Sequence, residues 1–114
     1  MHRIFGMPVA TVYPLYLAKL EKKGRTQEEL DEVIAWLTGF DKSELQRHLD
    51  AETTFADFFA AASLNPLADR ITGVICGMRV EEIDDPLMRQ IRCLDKLVDE
   101  LARGKAMPKV LRTA

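Results

Sequence analysis

The chain has 114 residues, the size of one domain, and is long enough to bury a hydrophobic core without metal or disulfide staples. Apolar residues make up 47% and charged residues 30%, a globular balance that excludes intrinsic disorder. A formal net charge of -2 excludes a long-range pull toward nucleic acid or anionic membrane, though it leaves room for a local basic patch.

The opening segment MHRIFGMP lacks the apolar stretch and small-residue cleavage site of a signal peptide. The longest apolar run, Val12 to Ala18, is too short to span a bilayer, so no membrane association and a cytoplasmic location are expected. Thr11 is placed to cap a first helix over 11–23, with Pro14 in its opening turn and Gly24 as the stop. Tyr13, Leu15, Tyr16, Leu17, Ala18 and Leu20 make that helix apolar on most sides, which predicts an interior position.

Thr26 with Glu29 forms a capping box for a second helix over 27–38, ended by Gly39. Leu30, Val33, Ile34 and Leu37 fall on one buried face, with Trp36 at its edge. Asp41 with Glu44 starts a third helix over 42–49, with Leu45 and Leu49 inward. Thr54 caps a fourth over 55–62, which carries Phe55, Phe58, Phe59 and Ala62 on one face.

Asn65 and Pro66 signal another start, and Leu67, Ile71, Val74, Ile75 and Met78 fit a helix over 66–78. The β-branched residues around Cys76 and Gly77 also suit a hairpin, and Gly73 and Gly77 each weaken a helix by roughly 1 kcal/mol. The helix is the favoured expectation, because its neighbours are helical and a lone hairpin is marginal. Asp85 and Pro86 open the clearest helix, 86–103, whose Leu87, Ile91, Leu94, Val98 and Leu101 form a stripe that Met88 and Leu97 widen. Gly104 ends it. The tail 105–114, with Pro108, Val110 and Leu111, either docks or frays. The resulting expectation is a single all-α domain over 1–114, an irregular orthogonal bundle of about six helices.

The opening MHRIFGMP, the segment VIAWLTGF and the long segment ITGVICGMRVEEIDDPLMRQIRCLDKLVDELARGKAM resemble the bacterial domain-of-unknown-function family numbered 2200. The resemblance covers nearly the whole chain and implies a mainly-α orthogonal bundle. It implies no catalytic or binding residues.

Read for chemistry, Glu81, Glu82, Asp84 and Asp85 gather four carboxylates that could hold a hard cation through oxygen ligands. Their spacing matches no EF-hand loop, and acids just before a helix start also suit its dipole, with Asp85 as the cap. His2 and His48 sit in no zinc spacing, and no cofactor is expected. Ser43 and Ser63 lack a nucleophile elbow, and no phosphate-binding glycine loop is present. Cys76 and Cys93 read as reduced core hydrophobes, although a thiol at Cys93 beside His48 would be a nucleophile.

Three functions follow, in order. The first is a non-enzymatic protein acting through protein contacts, with a homodimer as one form, through Leu87, Ile91, Leu94, Val98 and Leu101. The second is a small-molecule or metal-handling enzyme with a polar cleft near Arg79 to Asp85, lined also by Tyr13 or Tyr16. The third is a helix-turn-helix reader over 28–49. It would present Lys42, Gln46 and Arg47 to DNA, but Asp41, Glu44 and Asp50 oppose it, so nucleic acid is the least expected partner.

Overall fold

In the computed structural model, which describes residues 2–113, the chain enters through a 3-10 turn, Arg3–Gly6, and passes into α1, Val9–Glu21. The helix starts two residues before Thr11 because the entry is pinned from outside. Val9 N–H donates to the Thr53 carbonyl at 2.9 Å, and Phe55 N–H donates to that of Met7 at 3.0 Å. Pro8 is the cap residue, and Pro14 lies inside the helix rather than in its opening turn. The missing Pro14 N–H removes the helical partner of the Ala10 carbonyl. Val9, Tyr13, Tyr16 and Leu20 make one buried stripe. The helix is therefore amphipathic rather than enclosed, and Leu15 stands 66% exposed.

α2, Gln27–Thr38, and α3, Lys42–Asp50, begin at the expected reciprocal boxes, Thr26 with Glu29 and Asp41 with Glu44. Gly39 between them has φ +77°, and a Cβ there would meet the Ser63 carbonyl oxygen at 3.2 Å, so both backbone and space call for glycine. α4, Phe55–Ala61, is capped by Thr54. Its exit is tied to the end of α2, where Ser63 N–H donates to the Thr38 carbonyl at 2.9 Å and Asn65 N–H to that of Leu37 at 3.0 Å. Phe40 and Phe59 pack on Phe58 with ring centroids 5.0 and 5.4 Å away, a tilted and an edge-on contact.

The segment 66–78 is not a helix. Asn65 caps only a 3-10 turn, Pro66–Arg70, and the chain then forms an antiparallel hairpin of β1, Val74–Ile75, and β2, Met78–Arg79. Its two-residue turn has positive φ at both Cys76 (+51°) and Gly77 (+77°), the geometry that matches strand twist. Cys76 is therefore exposed, not a core residue, whereas Cys93 is buried. So short a hairpin persists because it is anchored at its base. Ile71 and Val80 are fully buried on either side of it, and Val80 N–H donates to the Gly73 carbonyl at 3.0 Å.

A 3-10 turn, Val80–Glu82, leads to α5, Pro86–Ala102, capped by Asp85. α5 is the axis of the bundle and packs on α1, α2, α4 and the hairpin. The last segment docks on it. α6, Met107–Val110, buries Val110 completely, and Arg112 holds the Glu100 carboxylate with contacts of 2.5 and 2.9 Å. The fold is mainly α, with six α-helices among the described residues. No helix of the described residues is long and apolar enough to cross a membrane.

Candidate functional site

The stripe expected to form an interface lies in the chain's own core. Ile91, Leu94, Val98 and Leu101 are at most 1% exposed, and Leu87 is half-buried against the core. Elements on several sides of α5 consume its wide apolar face, so Ile91, Leu94, Val98 and Leu101 offer no free surface and Leu87 offers only part of one. The exposed large apolar side chains are Leu15, Leu64, Val74 and Met78. Three of these four lie on the hairpin or on the outer side of α1.

The hairpin separates two concavities. On the α1 side, Leu15, Tyr16, Ile75, Cys76 and Asp95 line a space of about 290 Å³. At its wall the Tyr16 hydroxyl donates a short hydrogen bond to Asp95, whose second oxygen pairs with Arg92 Nη1 at 2.7 Å. Burial pushes the Tyr16 phenol well above its ordinary pKa, and the Asp95 charge adds to this. Burial and a hydrogen bond to Asp31 likewise push Tyr13 up to about 12. Both phenols thus stay protonated and donate, tying α1 to α5 and α2 rather than abstracting protons.

On the other side, a cleft of about 570 Å³ is lined by Val74, Met78, Arg79, Glu82, Ile83 and Asp84. This splits the four carboxylates. Glu82 and Asp84 border the cleft, while Glu81 turns back to accept from Gly73 N–H at 3.0 Å, a bond that holds its carboxyl below the ordinary range. Asp85 accepts from Met88 N–H at 2.9 Å. Among the described residues, no group of three or more His, Cys, Asp or Glu side chains is gathered to hold a metal ion. Tyr13 and Tyr16 stand outside this cleft, because they belong to the buried stripe of α1.

Several of the remaining nucleophile and nucleic-acid candidates are otherwise engaged. His48 Nδ1 lies 3.1 Å from Thr53 Oγ1, and its ring packs between Phe40 and Phe58. Burial pushes the Cys93 thiol up to about 11, which keeps it protonated and inert at neutral pH. On α3, Gln46 donates to Asp50 at 2.8 Å, and Asp41 and Glu44 are spent on their capping box. Lys42 and Arg47 remain exposed there.

Residues 3–112 match a family described as an uncharacterized protein conserved in bacteria, DUF2200. The chain belongs to DUF2200. A solved structure described as that of the uncharacterized protein SP1917 is similar to this DUF2200 chain, at 47% identity and a TM-score of 0.91, covering 98% of this chain and 93% of that one. No curated protein matches the sequence. Sequence reasoning did not mark Leu15, Val74 and Met78 of this DUF2200 member as exposed apolar side chains. Leu15 carried a legible signal, because it lies off the stripe of Val9, Tyr13, Tyr16 and Leu20. Val74 and Met78 carried none while 66–78 read as a helix.

Proposed function

We propose that this DUF2200 protein is a non-enzymatic contact module of the cytoplasm that pairs with a second copy of itself through the outer side of α1 and the hairpin. The observation that carries this reading is the exposure of Leu15 (66%), Val74 (53%) and Met78 (37%) on the hairpin and on the helix beside it, flanking the hairpin on both sides; Leu64 (39%) is the other exposed large apolar side chain among the described residues. Exposed apolar side chains near one another mark contact surfaces. A face of this kind closes on itself through a two-fold axis, so each copy covers the other's hairpin. A covered hairpin also gains the support that an isolated two-stranded unit lacks.

Light scattering over a micromolar-to-millimolar concentration series tests it. The wild type is expected to approach twice its monomer mass. A Leu15→Glu, Val74→Glu double variant stays monomeric, with stability within about 0.5 kcal/mol of wild type at dilution, where both are monomers. A wild type that remains monomeric throughout refutes the pairing.

A second reading, small-molecule binding in the other cleft, is favoured by Arg79, Glu82 and Asp84 sharing a space with Val74 and Met78. Its volume lies in the range of ligand sites. A thermal shift with a metabolite that disappears in Arg79→Ala supports this reading, and no shift across a broad panel refutes it.

A further inference from the structure

The tail after α5 closes its backbone hydrogen bonds within itself. The N–H groups of Lys109 and Val110 donate to the Ala106 carbonyl, Leu111 to that of Met107, Arg112 to that of Lys109 and Thr113 to that of Pro108. The end of α5 does the same on its own side, with Gly104 N–H on the Leu101 carbonyl and Lys105 N–H on that of Glu100. Tail and body therefore part between Lys105 and Ala106, just after Gly104 turns the chain at φ +90°. Across that boundary the tail holds on through side chains. Val110 is fully buried in the core, with Met107 and Leu111 packed against it, and Arg112 forks onto the Glu100 carboxylate at 2.5 and 2.9 Å.

Glu100 has a second partner, and that one stays with the body. Lys105 Nζ lies 3.5 Å from Glu100 Oε2. Lys105 is itself pinned, by its N–H on the Glu100 carbonyl and by Arg25 Nη1, which donates to its own carbonyl at 3.1 Å. The Glu100 side chain is only 6% exposed, and a buried carboxylate stripped of its cation would oppose any departure of the tail. With Lys105 in reach the charge is not stranded. Docking also holds Arg112 at φ +55°, a left-handed backbone that a residue with a side chain disfavours, and the tail gives this up on leaving.

We propose that residues 106–113 are a release strap, which leaves α5 as one unit while the bundle stays folded and passes Glu100 from Arg112 to Lys105. Docked, the strap keeps water from the apolar socket that Val110 fills; released, it uncovers that socket. A four-residue helix has no stability of its own, so the strap amides are protected only while it is docked. Opening therefore registers as exchange of the strap without exchange of α5. The device is separate from the pairing face on α1 and the hairpin and does not depend on it.

Hydrogen exchange of the full chain at dilution, followed by mass spectrometry across a urea series, tests the proposal. Strap amides are expected to be protected less than the centre of α5 by about tenfold or more, and low urea leaves their exchange unchanged. Arg112→Ala speeds strap exchange about tenfold and leaves α5 as it was. Lys105→Ala removes the receiving cation and slows strap exchange about twofold or more. A structural ion pair would move the two variants in the same direction; a transfer moves them in opposite ones. Wild-type strap amides that exchange only together with α5, with the same urea dependence, overturn the strap. Unchanged or faster strap exchange in Lys105→Ala overturns the transfer of Glu100.

Discussion

Raising the pH from 8 to 11 probes the centre of α5 through a single sulfur. Cys93 is 4% exposed, and burial moves its thiol from an ordinary 9.0 to about 11. The unfolded chain therefore loses this proton first, and the folded chain holds it. The associated stability is fully present below pH 9 and is lost as the pH rises through 11. The loss amounts to about 1 kcal/mol by pH 10 and about 2 kcal/mol by pH 11. Tyr13 and Tyr16 titrate in the same direction at higher pH. Their contributions are common to wild type and Cys93→Ala, so they cancel in the difference between the two. Removing the sulfur costs about 1 kcal/mol at pH 8 through the cavity it leaves. Urea unfolding of both proteins, under reductant and followed by far-ultraviolet circular dichroism, measures that difference. The two stability curves are expected to converge and cross between pH 9 and 11. Parallel curves over this interval would refute the account of Cys93 as a thiol kept protonated by its surroundings.

Replacing the strained turn residue, Cys76→Asn, is expected to raise unfolding free energy by about 0.5–1 kcal/mol, because asparagine tolerates the left-handed backbone better; an equal loss in urea unfolding would contradict the turn geometry. Leu97→Ala, at a fully buried site, is expected to cost about 2–5 kcal/mol, while Leu15→Ala changes stability by less than about 0.5 kcal/mol. Comparable losses at the two positions would remove the distinction between core and contact face. Asp85→Ala deletes the bond to Met88 N–H and is expected to lower the thermal midpoint by an amount equivalent to about 1 kcal/mol, without changing helix content.

Most of the helices were legible because their starts are chemically marked. Thr26, Asp41, Thr54 and Asp85 each accept a backbone N–H in the first turn, and the expected starts at 27, 42, 55 and 86 coincide with the observed ones. α1 misled at its start because its entry is set by pairing with Thr53 and Phe55, a contact far away in sequence. The hairpin was obscured because Cys76 occupies a turn position that normally calls for asparagine, aspartate or glycine, and because its strands are only two residues long. The stripe on α5 was read correctly as apolar. What covers it depends on how many elements pack around that helix, which periodicity along one segment does not report. The cations from Lys96 to Lys109 are scattered in sequence, and docking of the tail gathers them around one cleft.

Hydrogen–deuterium exchange measured on dilute and concentrated samples tests the pairing face directly. Added protection at high concentration is expected to be largest over residues 12–19 and 73–79, beyond the uniform slowing that pairing gives to amides, such as those of α5, which exchange through global unfolding. Protection gained instead on α3, or unchanged rates at both segments, would contradict a contact surface made by α1 and the hairpin.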